Sequence, residues 1–307
     1  MQSKVNFTNC KIVPTKAFGG ANGKKISIEY NGELYMLKFP PSADNKPTEL
    51  SYTNSCISEH IASSIFNIIG LNAQKTILGT YTVNGKEKIV CACKDFTADG
   101  KTFYDFGAIK NTIIDSEHLG AGTELEDILE TIEKQKFVNP DELLKLFWDM
   151  FVVDAFLGNF DRHNGNWGFL VDENGSSKIA PIFDCGSCLL PQADNNIMEK
   201  VLNNEDDLNA RVYQFPTSAI KENNRKINYF DFLTNCNDDD CNEAVKRIIQ
   251  RIDLDKINDF IDDVPYLSEL QRVFYKQYIA ARYEKILEFA YDNILEQDND
   301  FGMNQMQ

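Results

Sequence analysis

The sequence predicts an α+β fold with a sheet-rich N-terminal lobe that holds one main helix and a helical C-terminal lobe. Segments with strand-like alternation fill most of residues 1–96, whereas helical patterns dominate after them. The sequence shows no Pro- or Ser-rich linker between the two parts. We therefore place the N-terminal lobe at 1–96, the helical lobe at 97–296 and a polar tail at 297–307.

Two predicted hairpins and one predicted helix make up the N-terminal lobe. The segments KKISIEY, NGELYMLKF and KTILGTYTVNGKEKIVCACKDF have β-type alternation, and the Asn-Gly pairs at 31–32 and 84–85 are typical of hairpin turns. Between the hairpins, SCISEHIASSIFNIIG has apolar residues at helical spacing, with Thr53 or Asn54 as its cap and Gly70 at its end. The expected structure is a small twisted sheet with a single helix.

A strongly apolar helix is predicted early in the C-terminal lobe, after a shorter helical segment, GTELEDILETIEKQKF. In NPDELLKLFWDMFVVDAFLGN, Asn139 is placed to cap the helix and Pro140 occupies its first position. Apolar residues cover nearly all of its sides, so we expect this helix to be buried. A hairpin formed by WGFLV and KIAPIF follows, and amphipathic helices return from Asn242 onward.

The chain is strongly acidic, with 47 Asp and Glu residues against 31 Lys and Arg residues and a net charge of -16. Such a charge repels nucleic-acid backbones and acidic membrane surfaces, so we expect neither as a direct partner. The sequence shows no long uncharged apolar run and no apolar export signal near Met1. We therefore expect a cytoplasmic location and leave non-classical secretion open.

Eight cysteines are present, and without an export signal we expect reduced, mostly buried thiols rather than a disulfide framework. Their spacing does not form the two CxxC pairs of a zinc ribbon. The close pairs are Cys91 with Cys93, Cys185 with Cys188, and Cys236 with Cys241.

The stretch GNFDRHNGNW, at 158–167, contains many polar side chains and lies directly after the predicted buried helix. Asp161 is followed five positions later by Asn166, and beyond the hairpin Asp184 begins an Asp-Cys-Gly turn. This order is that of kinase phosphoryl-transfer machinery, in which an Asp receives or orients the hydroxyl proton while an Asn and a second Asp hold magnesium. The sequence therefore predicts kinase-type chemistry at these three residues.

The N-terminal lobe offers matching phosphate-binding groups. Lys38 lies in a predicted strand, from which a lysine can reach the α- and β-phosphates, and Glu59 on the predicted helix is the natural acid to pair with it. Upstream, FGGANGKK has three glycines, at 19, 20 and 23, whose backbone N–H groups can approach phosphates. This cluster does not match G-x-G-x-x-G, and its position before the Lys38 strand is what favours a phosphate loop.

Together, FGGANGKK, LYMLKFP, SEHIAS, GNFDRHNGNWGFL and IAPIFDCGSCL resemble the HipA-like serine/threonine kinases, and within them a short, single-chain branch. The resemblance implies a two-lobed protein-kinase-like fold, ATP with Mg²⁺, and transfer to hydroxyls of a protein substrate. Asp161 would be the catalytic base, Asn166 and Asp184 metal ligands, and Lys38 the phosphate lysine. His163 would either contact the nucleotide or brace its own loop. The implied phosphate loop comprises Gly19, Gly20, Ala21, Asn22, Gly23 and Lys24, and the implied adenine-binding hinge comprises Cys93, Lys94 and Phe96.

Two departures from the family limit these expectations. Ala17 stands where toxin-like members carry a self-phosphorylated serine, and the additional N-terminal module that meets an antitoxin is not seen. Antitoxin pairing is therefore not assumed, and self-phosphorylation is expected to occur weakly in trans, on hydroxyls such as those of Thr15, Ser27 or Tyr30. A small-molecule phosphotransferase of the aminoglycoside-kinase type and a nucleotide-binding pseudokinase scaffold remain alternatives. The intact Asp161, Asn166 and Asp184 set argues against the scaffold.

Overall fold

A six-stranded sheet and one helix form the N-terminal lobe in the computed structural model, which describes residues 3–14, 24–40, 53–98, 100–114, 119–235 and 237–304. The elements are β1 (Val5–Asn6), β2 (Lys11–Ile12), β3 (Lys25–Tyr30), β4 (Glu33–Lys38), α1 (Ser55–Ile68), β5 (Thr76–Val83) and β6 (Lys86–Lys94). The strand order is β1-β5-β6-β4-β3-β2, with β1 parallel to β5 and the other neighbours antiparallel.

Both predicted hairpin turns are confirmed. Asn31 and Asn84 have φ angles of 51°, and the glycines that follow them have φ angles of 78° and 74°. Positive φ at both central positions is the geometry that favours Asn-Gly in two-residue hairpins. The predicted cap of α1 differs in one respect: Asn54 precedes the helix, but its Nδ2 donates to the Ala193 carbonyl of the other lobe at 2.7 Å instead of capping it.

The helical lobe contains ten helices and five strands within the described residues. They are β7 (Thr102–Asp105), α2 (Phe106–Ile113), α3 (Leu125–Lys134), α4 (Pro140–Leu157), β8 (Gly168–Val171), β9 (Ser177–Ile179), α5 (Asn195–Asn203), α6 (Glu205–Asn209), β10 (Lys221–Glu222), β11 (Arg225–Lys226), α7 (Tyr229–Asn235), α8 (Asp239–Ile249), α9 (Leu254–Asp263), α10 (Glu269–Arg282) and α11 (Phe289–Asn304). Strand β7 pairs with β8 and so extends the predicted hairpin to three strands, an addition that the sequence analysis missed. The two-lobed α+β fold is as predicted.

One apolar core runs through both lobes. The sheet face towards α1 contributes Leu78 and Cys93, which join α1 and the helical lobe in a single cluster. The opposite sheet face has a smaller core of its own around Leu37 and Val90. Alternation along β4 and β6 therefore gives each sheet face a different partner.

Helix α4 lies at the centre of the larger core, as its apolar sequence predicts, and twelve of its residues are buried. Asn139 Oδ1 accepts hydrogen bonds from the N–H groups of Asp141 and Glu142 at 2.8 and 3.3 Å. Gly158, with φ of 65°, ends the helix in the left-handed conformation. The polar stretch 158–167 consequently starts at a fixed point of the core.

The end of the chain is more regular than the sequence predicts. Helix α10 continues through a π-helical segment, Tyr283–Glu288, into α11, so residues 297–304 are helical where a frayed polar tail is expected. Lys246 of α8 contacts Asp298 at 2.7 Å and contributes to holding this end. The boundary between lobes near residue 96 stays a prediction.

The seven described cysteines are free thiols, and all but Cys10 are buried. Among the helices that the structure describes, none combines the length and apolar character needed to cross a bilayer.

Replacing the cap of α4 should destabilise the whole protein, because the core packs around this helix. We expect Asn139→Ala to lower the free energy of unfolding by about 1 kcal/mol. Asn139→Asp retains a capping oxygen and should remain near the wild-type value in the same urea titration. Equal stability of the Ala and wild-type proteins would contradict the cap assignment.

Candidate active site

Lys38, Glu59 and Asp184 meet in the cleft between the lobes. Lys38 Nζ donates to Glu59 Oε2 and to Asp184 Oδ1, each at 2.7 Å. The Glu59 side chain is 1% exposed, the Lys38 side chain 13% and the Asp184 side chain 43%. The structure thus brings the predicted lysine and its predicted partner into contact and adds the predicted metal ligand.

Strand periodicity explains why Lys38 faces Glu59. Tyr35 and Leu37 pack in the outer core of the sheet, so alternate residues of β4 face α1 on the other side. Met36 packs against the core that contains α1, and Lys38, two residues on, lies on the same face.

The Asp-Cys-Gly turn is built around the same carboxylate. The Cys185 N–H donates to Glu59 Oε1 at 3.1 Å, so Glu59 pairs with Lys38 through one oxygen and with this turn through the other. A Cβ at Gly186 would lie 3.1 Å from Glu59 Oε2, closer than ordinary packing allows. Glycine therefore permits the turn to approach Glu59, while Asp184 itself adopts a φ of 57°.

The electrostatics of the cleft keep these groups charged. Burial lowers the pKa of the Lys38 ammonium, but Glu59 and Asp184 outweigh burial and hold that pKa well above its ordinary value. Desolvation raises the pKa of Asp184, yet the Lys38 ammonium outweighs it and leaves the pKa of this carboxyl below its ordinary value. Both groups are accordingly ionised at neutral pH.

Asp161 and Asn166 project from one loop. The Asp161 N–H donates to Asn159 Oδ1 at 3.0 Å, and Asn166 Nδ2 donates to the Asp161 carbonyl at 2.9 Å. That bond orients the Asn166 amide so that its oxygen is the end available to a ligand. Desolvation raises the pKa of Asp161; the neighbouring His163 opposes the shift and Asp184 adds to it.

The donor chemistry fits magnesium. Mg²⁺ prefers oxygen ligands and binds proteins through one or two carboxylates while retaining waters and substrate phosphates. An amide oxygen from Asn166 and the partly exposed carboxylate of Asp184 provide such a set. The described residues contain no cluster of three or more His, Cys, Asp or Glu side chains suited to a dedicated metal cage.

Arg162 is the buried centre of the loop that carries Asp161, with 2% exposure. Its Nε donates to Asp154 Oδ2 of α4 at 2.9 Å, and its Nη1 donates to the Asn166 carbonyl at 3.2 Å and also to the Phe183 carbonyl. Nη2 contacts Cys185 Sγ at 3.4 Å. One guanidinium therefore connects the central helix, the loop with Asp161 and the segment that leads into Asp184.

His163 is exposed, and its Nδ1 accepts from the Gly165 N–H at 3.0 Å, capping the short turn Asn164–Asn166. This contact is the bracing role considered from the sequence, and a nucleotide contact by His163 stays a proposal.

The phosphate-loop prediction for Gly19 to Gly23 lies outside the described residues. Lys24, the last residue of that segment, is exposed and its Nζ lies 5.5 Å from the centre of the Phe39 ring.

The predicted hinge has most of its groups engaged. Cys93 is fully buried in β6, opposite Met36 and Thr76. The Lys94 N–H donates to the Lys75 carbonyl at 2.8 Å, and the Lys94 carbonyl accepts from Gln74 Nε2 at 2.9 Å. An adenine amino group that donates to the Lys94 carbonyl would therefore share this acceptor with Gln74.

Phe96 provides an apolar surface beside the hinge. Its ring packs against Phe103 and Phe183 with centroid distances of 5.7 and 5.4 Å, and Phe183 directly precedes Asp184. All three rings are half-buried, so the predicted hinge and the segment before Asp184 share one aromatic wall.

Comparisons with known proteins agree with this geometry. The family model described as the HipA-like C-terminal domain matches residues 16–255. The serine/threonine-protein kinase CtkA of Helicobacter pylori is 52% identical over 294 residues, which cover 95% of this chain and 89% of the relative. The chain belongs to the HipA-like family.

Solved structures show the same fold. The crystal structure of the Helicobacter pylori proinflammatory kinase CtkA matches with a TM-score of 0.90 over 96% of this chain and 99% of that one, at 52% identity. A structure of HipA from Shewanella oneidensis, in a toxin–antitoxin complex with HipB and operator DNA, matches with a TM-score of 0.54 over 92% of this chain and 70% of that one, at 16% identity. The second match demonstrates the HipA-like fold alone.

Several residues that support this site are not predicted from the sequence. Asp154 gave a usable signal, because a carboxylate in an otherwise apolar helix needs a buried partner. Asn164 gave no such signal in the sequence. Its Nδ2 nevertheless donates to the carbonyls of Gly120 and Gly122 at 2.9 and 2.8 Å, which holds the Asp161 loop against that segment.

Breaking the buried ion pair between Asp154 and Arg162 should lower the free energy of unfolding far more than breaking an exposed ion pair. We expect Asp154→Ala to lower the free energy of unfolding by about 3–5 kcal/mol, because it leaves Arg162 buried and uncompensated. Glu130→Ala, which removes the exposed partner of Lys134 on α3, should cost less than about 1 kcal/mol. Chemical denaturation of both variants checks this difference, and similar losses would show that the Arg162 pair does not stabilise the loop.

Proposed function

We propose that this chain transfers the γ-phosphate of ATP to serine or threonine hydroxyls of protein substrates, with Asn166 and Asp184 as Mg²⁺ ligands. The observation that carries the proposal is the contact of Lys38 with both Glu59 and Asp184 beside the Asp161 loop. The enzyme class, serine/threonine-protein kinase, is supported by 52% identity to a kinase across nearly the whole chain.

Each residue has a distinct role in this reaction. Lys38 would bind the α- and β-phosphates, and Glu59 would hold the lysine in place. When bound, Mg²⁺ supplies positive charge that offsets the charge developing on the phosphates. Asp161 accepts the proton of the acceptor hydroxyl as the new O–P bond forms and the bond between the γ-phosphorus and its bridging oxygen breaks, releasing ADP. Its raised pKa suits it to receive that proton.

The two alternatives are less well supported. A pseudokinase would not need the paired Lys38 together with Asp161, Asn166 and Asp184. A small-molecule phosphotransferase uses similar groups, but the relative that matches this chain over 95% of its length is named as a protein kinase. Incubation with labelled ATP and either a proteome extract or amino sugars separates the protein kinase from the small-molecule enzyme.

Self-phosphorylation in trans is proposed with fewer candidate acceptor residues than the sequence suggests. Ser27 is 4% exposed within β3, so the folded sheet shields its hydroxyl, whereas Tyr30 packs against Phe7 and Tyr35 and is half-buried. Thr15 lies outside the described residues. No antitoxin partner is proposed.

Substitution of Asp161 should abolish most turnover while the fold persists, because this carboxylate is partly exposed. We expect Asp161→Asn to reduce kcat by about 10²–10⁴-fold, the usual contribution of a positioned base. Phosphate transfer to a protein extract measures the loss, and thermal unfolding confirms the fold. A folded variant with wild-type turnover would remove Asp161 from the mechanism.

Lys38 and Glu59 should act as one unit in catalysis. We expect Lys38→Met and Glu59→Gln each to lower kcat/KM strongly, and the double variant to lose much less than the product of the two effects. The exposed pair Lys11 and Glu29, 2.8 Å apart between β2 and β3, provides the control cycle, in which each change should leave kcat/KM near wild type. Multiplicative losses in the Lys38 cycle would mean that the contact has no catalytic role.

A further inference from the structure

A groove opens between the β10–β11 hairpin, the start of α3 and the α7–α8 region. Its volume is about 630 Å³. Leu125 and Ile227 are buried apolar residues in its wall, and Phe232 adds a half-buried ring. Arg225 and Lys226 supply positive charge from the hairpin.

The hairpin is fixed relative to the catalytic loop. Asn164, three residues after Asp161, donates to the Gly122 carbonyl at 2.8 Å. The next residue, Thr123, accepts from the Lys221 N–H at 2.8 Å and donates its hydroxyl to the Ala219 carbonyl at 2.8 Å. A short chain of hydrogen bonds therefore connects the groove wall to the loop that carries Asp161.

Lys226 is a hairpin residue whose charge acts on the Asp161 carboxylate. Desolvation raises the pKa of Asp161, and among the charges that lower it is the Lys226 ammonium. Together with the hydrogen bonds that link the hairpin to the Asp161 loop, this interaction indicates that the two cations lie on the side of the helical lobe that carries Asp161.

The two cations are available to a partner. Arg225 and Lys226 are exposed, and within the described residues neither forms a salt bridge. Glu222 stands opposite Arg225 in the strand register without an ion pair between their side chains. In a chain with a net charge of -16, these two exposed cations favour an acidic side chain over a basic one at this end of the groove.

The remaining charges of the groove limit where an acidic side chain fits. Asp231 at the start of α7 and Asp238 at the start of α8 line the same groove. Asp238 already accepts from the Cys241 N–H at 2.8 Å, whereas Asp231 is exposed. Negative charge on that side disfavours an acidic residue far from the hairpin.

We propose that this groove binds the acceptor segment of the protein substrate and selects an acidic side chain close to the acceptor hydroxyl through Arg225 and Lys226. The inference rests on the proposed kinase activity and deepens it by naming the substrate class. The apolar wall formed by Leu125, Ile227 and Phe232 would receive an apolar side chain of the same segment.

The test uses synthetic peptides with a single serine in an Ala/Gly background, in which Glu, Gln or Lys occupies one flanking position at a time. With ATP and Mg²⁺, the full-length protein should phosphorylate the Glu peptide about tenfold faster than the Lys peptide at one or two positions near the serine, a ratio equivalent to about 1.4 kcal/mol. Asp161→Asn is the blank.

Variants of Arg225 and Lys226 test whether these two cations cause the preference for the Glu peptide. Arg225→Gln with Lys226→Gln should abolish the preference for Glu, and Arg225→Glu with Lys226→Glu should reverse it towards Lys. Lys145→Glu with Lys178→Glu makes the same change in net charge at two exposed positions outside the groove and should retain the wild-type preference. Thermal unfolding confirms that each protein is folded, and the Gln variant answers the question if the Glu variant does not fold.

The outcomes separate the inference from the function on which it rests. Phosphorylation without any preference for Glu, or a preference that the Gln variant retains, would overturn the groove assignment while the kinase function stands. An equal loss with every peptide together with a raised KM for ATP would show that the cations bind nucleotide instead. If the wild-type protein labels a proteome extract but phosphorylates no serine peptide, the groove assignment fails while the kinase function stands, and if it labels neither, both proposals fail.

Discussion

Glu59 is a carboxylate with almost no solvent contact, and the geometry of the cleft depends on how its charge is compensated. One oxygen accepts from Lys38 on the sheet, and the other accepts from the Cys185 N–H in the opposite lobe. A buried carboxylate that loses such partners costs several kcal/mol. Helix α1, strand β4 and the Asp-Cys-Gly turn are therefore held at one relative position, the one that brings Lys38 beside Asp184.

Arg162 has the complementary part in the helical lobe. Its guanidinium contacts α4, the Asp161 loop and the segment before Asp184, so a buried cation organises the side of the cleft that carries Asp161. Phosphoryl transfer requires little covalent chemistry from the protein and depends on positioning and on preorganised charge. Two buried ions of opposite sign provide that preorganisation.

The sequence predicts the parts of the site that have a local pattern. Strand alternation and the position after a glycine-rich segment single out Lys38, and specific order and spacing single out Asp161, Asn166 and Asp184. Arg162 was missed although it lies next to Asp161, since nothing local shows that its side chain points into the core. Strands β10 and β11 have only two residues each, and their position is set by contacts with Thr123 that are distant in sequence.

The apolar core described for α1 has a consequence for how the chain folds. Ile61 of α1 and Phe156 of α4 belong to one continuous hydrophobic cluster. The hydrophobic core therefore crosses the lobe boundary that is predicted near residue 96. An isolated N-terminal segment would leave one face of its helix without a partner and would be prone to aggregate. The sheet with its helix and the helical lobe therefore stabilise each other through one shared hydrophobic core.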